Sequence, residues 1–434
     1  MSEGVYIISN KILSNKQGNE KRNSYYYSQI ELPSGNILTN KGEIVKATNI
    51  VEQPPIKGAF DFTVVKEGDS LIWYHAKLND KRSGLHQLNL KTNTNITFPK
   101  TSSSNLFALK RINNKIFYAD KFGIGFIEYD SIHYFYKNKM VGNYGDEPYD
   151  MVQQTENTIV LATCNNLLRV DINSFTTDTL LTLKDNCIRT LWKYKEYLFI
   201  GTYGKGFYIY NNVKMKAMPV DVNKYLLYTH CFLPDSLGFV WLSTNRGLFK
   251  AKIEDLISSF NDANNTQVYY HYFGKDDGMV TTELNGGCKP CAIQLKNKTL
   301  SFPSMQGLVW ANPTDTALAM PVGEIFIDEI HADGNEINNT ENNLKHISYQ
   351  TNELIFSLSY PAWCKKENIY LDYSITQGKN STSWKPVFLN NGTAISITNL
   401  TSGEYTLTIR KLNGFGINNY SYTTIHFTVT TPWY

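Results

Sequence analysis

Gly238-Phe239-Val240-Trp241-Leu242-Ser243-Thr244-Asn245-Arg246-Gly247-Leu248-Phe249 reads as two short strands joined by a tight polar turn. Val240 to Ser243 forms the first strand, and Leu248-Phe249 begins the second. Between them Thr244-Asn245-Arg246-Gly247 makes the turn, with Gly247 free to take a positive φ. Six further copies align on the residue before the second strand. They are Asn40-Lys41-Gly42-Glu43-Ile44, Arg82-Ser83-Gly84-Leu85-His86, Gly123-Ile124-Gly125-Phe126-Ile127, Asn165-Asn166-Leu167-Leu168, Gly204-Lys205-Gly206-Phe207-Tyr208 and Met305-Gln306-Gly307-Leu308-Val309. Asn166 stands where the others have glycine, and asparagine is the next-best residue for a left-handed backbone.

The anchors fall at 42, 84, 125, 166, 206, 247 and 307, so five spacings are 40 to 42 residues and the last is 60. An apolar strand precedes each, for example Leu71-Ile72-Trp73-Tyr74, Ile159-Val160-Leu161 and Tyr197-Leu198-Phe199-Ile200. A period of about 40 residues with four strands per unit is that of a β-propeller blade. A helical solenoid of the same period would need a 3.6-residue apolar rhythm, and β-branched and aromatic residues dominate instead. Seven copies predict seven blades. Val5-Tyr6-Ile7-Ile8 is a candidate strand to close the ring by joining the last blade, which removes an exposed sheet edge.

The long last spacing contains Ile253, Leu256, Ile257 and Phe260 at i, i+3, i+4 and i+7, one face of a short helix. Asp276-Asp277-Gly278-Met279 reads as a turn into the innermost strand of blade seven. From Gly323 the rhythm changes. Ile325-Phe326-Ile327, Leu354 to Leu358, Tyr370 to Ile375, Tyr405 to Ile409 and Ile425 to Val429 are strands with longer, uneven connections. That pattern over about 110 residues fits an immunoglobulin-like sandwich, with Trp384 expected in its core. The predicted organisation is all-β: a seven-bladed propeller over residues 1–320, then the sandwich over 321–434.

The net charge of +3 comes with no basic stripe, which argues against nucleic-acid binding. No run of about 18 apolar residues crosses a membrane, and Met1 to Glu20 lacks a signal-peptide apolar core. The 29 tyrosines suit β-sheets in the first place, and secondly a surface that stacks on sugars. Six scattered cysteines are not the density of a disulfide scaffold. Cys288-Lys289-Pro290-Cys291 is a CxxC, placed by spacing in an innermost strand. No second CxxC or nearby histidine pair completes a metal site, so the two thiols read as core residues, with a disulfide between them left open. The eight histidines form no HxH or HExxH, and no nucleophile elbow or phosphate loop is present. No catalytic residue, metal ligand or cofactor is therefore assigned.

The Gly238 to Phe249 unit resembles the two-component regulator propeller repeat. Gly278-Met279-Val280-Thr281-Thr282-Glu283-Leu284-Asn285, with Gly307-Leu308-Val309-Trp310-Ala311-Asn312-Pro313, is similar to that family's closing blade. The tail resembles the triple-tyrosine domain that follows it. The residues that carry this are Tyr370-Leu371-Asp372-Tyr373, Trp384, Asn399-Leu400-Thr401-Ser402-Gly403-Glu404-Tyr405-Thr406-Leu407, Asn413-Gly414-Phe415-Gly416 and Pro432-Trp433. The resemblance covers nearly the whole chain. It implies the periplasmic sensor region of Bacteroides-type hybrid two-component systems, with a membrane helix after Tyr434. It further implies a glycan fragment as ligand and a homodimer through the sandwich. That family commonly carries two propellers, and this chain has one.

Propeller ligands gather on one face around the central channel, where innermost strands begin or end. The candidate ligand residues there are Tyr26, Asp61, Tyr149, Arg189, His230 and Glu283. Their mix of aromatic, cationic and acidic groups suits a polyhydroxylated or anionic ligand. Two other readings stand beside sensing. A propeller enzyme of lyase or lactonase type needs clustered carboxylates, histidines or a metal on one channel face. A protein-interaction scaffold needs a broad apolar or charged face without a deep pocket.

Overall fold

The Thr244–Gly247 turn is held by its own side chains. The Thr244 hydroxyl donates to the Gly247 carbonyl at 2.9 Å and accepts the Arg246 N–H at 3.0 Å. Behind it Trp241 is fully buried, stacks on Phe273 at 5.1 Å and donates its Nε1–H to the Asp235 carboxylate at 2.9 Å. The same hydroxyl device recurs where the second strand of a repeat ends. Thr163, Thr202 and Ser304 donate to the carbonyls of Asn166, Gly206 and Gly307. A short alcohol at that position adds a second donor to the turn carbonyl, as at Gly206, which also accepts the Thr202 N–H at 3.0 Å.

A computed structural model describes residues 11–17, 25–46, 51–52, 60–79, 82–98, 106–120, 123–128, 131–137, 148–183, 186–263, 266–314, 318–337, 343–389 and 393–431. Each repeat is a four-stranded antiparallel sheet, and there are seven. The first strands are Gln29–Glu31, Phe60–Glu67, Leu106–Ile112, Pro148–Gln153, Ile188–Tyr194, Cys231–Pro234 and Ile293–Gln294. From blade one to blade six each first strand packs beside the next, and that of blade seven packs beside that of blade one. These are the innermost strands of a propeller. Apolar wedges fill the gaps between blades, such as Phe117, Phe126, Met151, Ile159 and Leu161 between blades three and four.

Blade seven takes its outermost strand from the start of the chain. Leu13–Lys16 pairs with Gly307–Ala311, in the register Leu13 to Ala311 and Lys16 to Leu308. Two glycines make room for it. A Cβ on Gly307 (φ +99°) would lie 2.4 Å from the Lys16 carbonyl oxygen, and one on Gly278 (φ +113°) 2.1 Å from that of Leu13. Closure by an N-terminal strand is as expected, but the strand is Leu13–Lys16; Val5 to Ile8 lie outside the described residues. Asn166 also differs from expectation. It opens strand Asn166–Asp171 and is not among the positive-φ residues, although the Thr163 hydroxyl closes its turn as in the other blades.

By packing, the described residues divide into two compact units. The first comprises 1–220, 225–253 and 273–316, and the second 221–224, 254–272 and 317–434. In the second unit Phe326–Ala332, Glu353–Ser359 and Ala394–Thr398 form one sheet with the short strand Asn335–Glu336. Asn343–Ile347, Tyr420–Val429, Gly403–Leu412 and Tyr370–Gln377 lead the other. Burial alternates along Glu353–Ser359, so Leu354, Phe356 and Leu358 face Leu407, Ile409, Ile425 and Phe427 across the sandwich. The Tyr405 hydroxyl folds back to donate to the Thr401 carbonyl at 2.9 Å and accept its N–H at 3.0 Å, a corner that fixes the start of its strand.

The expected helix is present as Ile253–Asn261, with Ile253, Leu256 and Phe260 buried. Its Asp255 accepts the Gly416 N–H at 2.7 Å, and further on Tyr270 accepts the Tyr370 hydroxyl at 3.1 Å. Trp384 is not in the core. It is 39% exposed, and the Arg410 guanidinium covers its ring at 4.0 Å. It precedes the two-residue strand Lys385–Pro386, which among the described strands pairs only with Tyr370–Gln377.

Candidate ligand site on the front face of the propeller

Innermost strands all begin on one face, here called the front face. Tyr149 is the second residue of its strand, Arg189 the second of the next, and His230 directly precedes the first strand of blade six. Three consecutive blades therefore deliver these three candidates to neighbouring positions. Arg189 lies over the Tyr149 ring at 4.2 Å and also faces Tyr203, at 5.4 Å. Tyr203 is 49% exposed and its ring centroid is 6.1 Å from that of His230. A guanidinium between two aromatic faces is pre-organised at little rotamer cost. Its Nε is buried and has no hydrogen-bond partner among the described residues.

His230 is 6% exposed and abuts Gly286, where a Cβ would lie 2.3 Å from its Nδ1. Burial pushes its pKa down to about 4, helped by the nearby positive charges of Arg189 and Lys289. The imidazole is therefore neutral at physiological pH.

Beneath this layer is a charge network. Asp150 accepts the Lys289 ammonium at 2.7 Å, the Leu191 N–H at 2.8 Å and the Met151 N–H at 2.9 Å. Lys289 also donates to the Arg189 carbonyl at 3.2 Å, and its own carbonyl accepts the Val64 N–H at 2.9 Å. Lys110 donates to the Met151 carbonyl at 2.7 Å; desolvation pushes its pKa down, opposed by Asp150 and reinforced by Lys289. Lys289 thus ties blade two to blades four and five through one side chain and one carbonyl.

The remaining candidates sit elsewhere. Tyr26 is fully buried, and its hydroxyl donates to the Glu43 carboxylate. Glu283 is exposed, and its charge is felt by Tyr27, whose pKa is raised mainly by burial and then by Cys288, Tyr25 and Glu283. The side chain of Asp61 lies outside the described residues. Tyr203, Asp150 and Lys289 were not singled out from sequence. Asp150 follows Tyr149 directly, and Tyr203 precedes an anchor turn. Lys289 was read only as the spacer of a CxxC.

That CxxC needs correction. Residues 279–292 are not a strand among the described residues; the innermost strand of blade seven is only Ile293–Gln294. Cys291 is bonded to Cys231 of blade six, and Cys164 to Cys187 between blades four and five. Cys288 is a free buried thiol whose pKa burial pushes up to about 12, which leaves it unreactive. Disulfides between blades are expected where the compartment is oxidising. Among the described residues no helix is long and apolar enough to cross a membrane, and no group of His, Cys, Asp and Glu could hold a metal ion.

The architecture is that of a propeller followed by an immunoglobulin-like sandwich. No family profile matches the chain, and no curated protein matches it in sequence. Among solved structures it is similar to two proteins described as extracellular domains of hybrid two component systems from B. thetaiotaomicron. For BT3049 the identity is 12% and the TM-score 0.31, over 93% of this chain and 72% of that one. For BT4673 the figures are 13% and 0.29, over 94% and 80%. A computationally designed protein is similar at 8% identity and TM-score 0.45, over 70% of this chain and all of that one.

Proposed function

We propose that the chain is an extracytoplasmic ligand-sensing module of a membrane-bound two-component-type regulator, and that its front face binds a glycan fragment. The observation that carries the reading is the Arg189 guanidinium held between Tyr149 and Tyr203. Aromatic faces stack on sugar rings, and a fixed guanidinium supplies directional donors. The two interblade disulfides support an oxidising, periplasmic location. The repeat and tail motifs support the regulator assignment. On this reading the sandwich passes the signal to a membrane helix that follows Tyr434, with a second copy pairing through its own sandwich. To move a two-state pair from 1:99 to 99:1, the ligand must prefer one state by about 5.5 kcal/mol.

A thermal-shift screen against an oligosaccharide panel tests this. A glycan at 100 times its Kd should stabilise the propeller by about 2.7 kcal/mol, and Tyr149→Ala or Tyr203→Ala should remove the effect. Absence of a shift with every glycan class, or a shift that survives both substitutions, would overturn the assignment.

A further inference from the structure

We propose that the front-face ligand is held through an anionic group, a carboxylate or a sulfate, by Arg189; this rests on the ligand-sensing reading above and names the class of ligand. Among the described side chains Lys289 and Lys110 lie beside one carboxylate, Asp150, which is already taken up by Lys289 and two backbone N–H groups, while Arg189 joins this network only through its carbonyl and leaves its guanidinium to the front face. His230 adds no charge, because it stays neutral, and it borders the same space.

The surroundings lean the same way. On the front face the described hairpin tips carry Lys41, Lys205 and Arg246, and the acid among them, Glu43, accepts the Tyr26 hydroxyl. On the opposite face the tips mix signs: Asp69, Glu156 and Glu196 stand with Lys195, Lys296 and Lys298. With Glu283 also exposed on this face, at the Met305 tip, the described front-face charges keep a modest cationic excess, which favours anions. Among the described residues the Nε of Arg189 is a buried donor without a partner, where leaving a donor unmet is costly. The two terminal Nη–H groups form a planar, charge-assisted fork that matches two oxygens of a carboxylate or sulfate. The loop before blade seven lies against the guanidinium: a Cβ on Gly287 would be in ordinary van der Waals contact with an Arg189 terminal nitrogen, at 3.9 Å.

The test is calorimetric titration of the intact chain with three probes: a galacturonic acid trisaccharide, a sulfated disaccharide, and the neutral galactose trisaccharide. One acidic probe should bind at least 100-fold tighter than the neutral one, and which acid binds tells carboxylate from sulfate. Raising salt from 50 to 200 mM should weaken that binding severalfold. Arg189→Gln should cost about 100-fold and Arg189→Lys about 10-fold, since lysine keeps the charge and loses the fork. Lys195→Gln, on the opposite face, should leave affinity unchanged. If Arg189→Gln fails to fold, the lysine variant and the salt series still decide. Neutral-glycan binding that equals the acidic, depends on Tyr149 and ignores Arg189→Gln would overturn the anion inference and leave ligand sensing standing. Absence of binding by both acidic probes would overturn the anion inference, and absence of a shift across the whole oligosaccharide panel would overturn ligand sensing as well.

Discussion

Asp150 and Lys289 provide the sharpest energetic test of how the front face is built. Their side chains are only 6% and 11% exposed, and their charged atoms lie 2.7 Å apart. Removing one partner of such a pair leaves a charge stranded, at about 3–5 kcal/mol. The two directions should differ. Lys289→Met leaves Asp150 with the Leu191 and Met151 N–H groups, so the cost should sit near the low end, about 3 kcal/mol. Asp150→Asn leaves an ammonium whose remaining described partner is the Arg189 carbonyl, near other cations, so about 5 kcal/mol is expected. The double variant strands no charge and should cost about 3 kcal/mol, far under the sum of about 8. The assay is urea unfolding of all four proteins followed by near-ultraviolet circular dichroism. Additivity within about 0.5 kcal/mol would show that the pair is not coupled and refute the network.

Three further outcomes follow from the same structure. The folded pKa of His230, about 4, is below its ordinary value of about 6.5, so the unfolded chain binds the proton more readily; stability is full above pH 6.5 and falls as pH drops toward 4. Between pH 7 and 5 this should cost about 2 kcal/mol, and His230→Gln should flatten that slope in pH-dependent unfolding. Loss of the Cys231–Cys291 bond should destabilise the propeller by about 4 kcal/mol and loss of Cys164–Cys187 by about 3.5, by loop entropy, as read by denaturation of Cys→Ser pairs. Gly307→Ala forces a side chain against the Lys16 carbonyl at positive φ and should cost about 2–3 kcal/mol, with faster amide exchange at Leu13–Lys16.

The repeats were legible because each blade must turn between its second and third strands, and the turn residues recur at a fixed period. Asn166 was misjudged because its place in the repeat was read as a backbone conformation: it shares the hydroxyl-closed turn of the other blades without a positive φ. The closing strand was misplaced for a different reason. Apolar content pointed to Val5–Ile8, whereas the pairing with Gly307–Ala311 relies on backbone bonds, two glycine gaps and one buried side chain, Leu13. Trp384 looked like core from its residue type, but ring position depends on which short strand it borders. Of the site, Tyr149, Arg189 and His230 were readable because consecutive inner strands begin side by side. Tyr26 follows the same rule yet turns its ring inward to Glu43. Asp150–Lys289 and the Cys231–Cys291 bond join residues 139 and 60 apart in sequence, and local pattern holds no record of such pairings.

Hydrogen exchange of the intact chain, with and without the tightest-binding glycan of the panel, tests the central claim most directly. The account predicts slowed exchange at 148–150, 188–190, 202–206, 228–230 and 286–291, the segments that bring Tyr149, Arg189, Tyr203, His230 and Lys289 together. Protection confined to the opposite face or to the sandwich, with those segments unchanged, would contradict it.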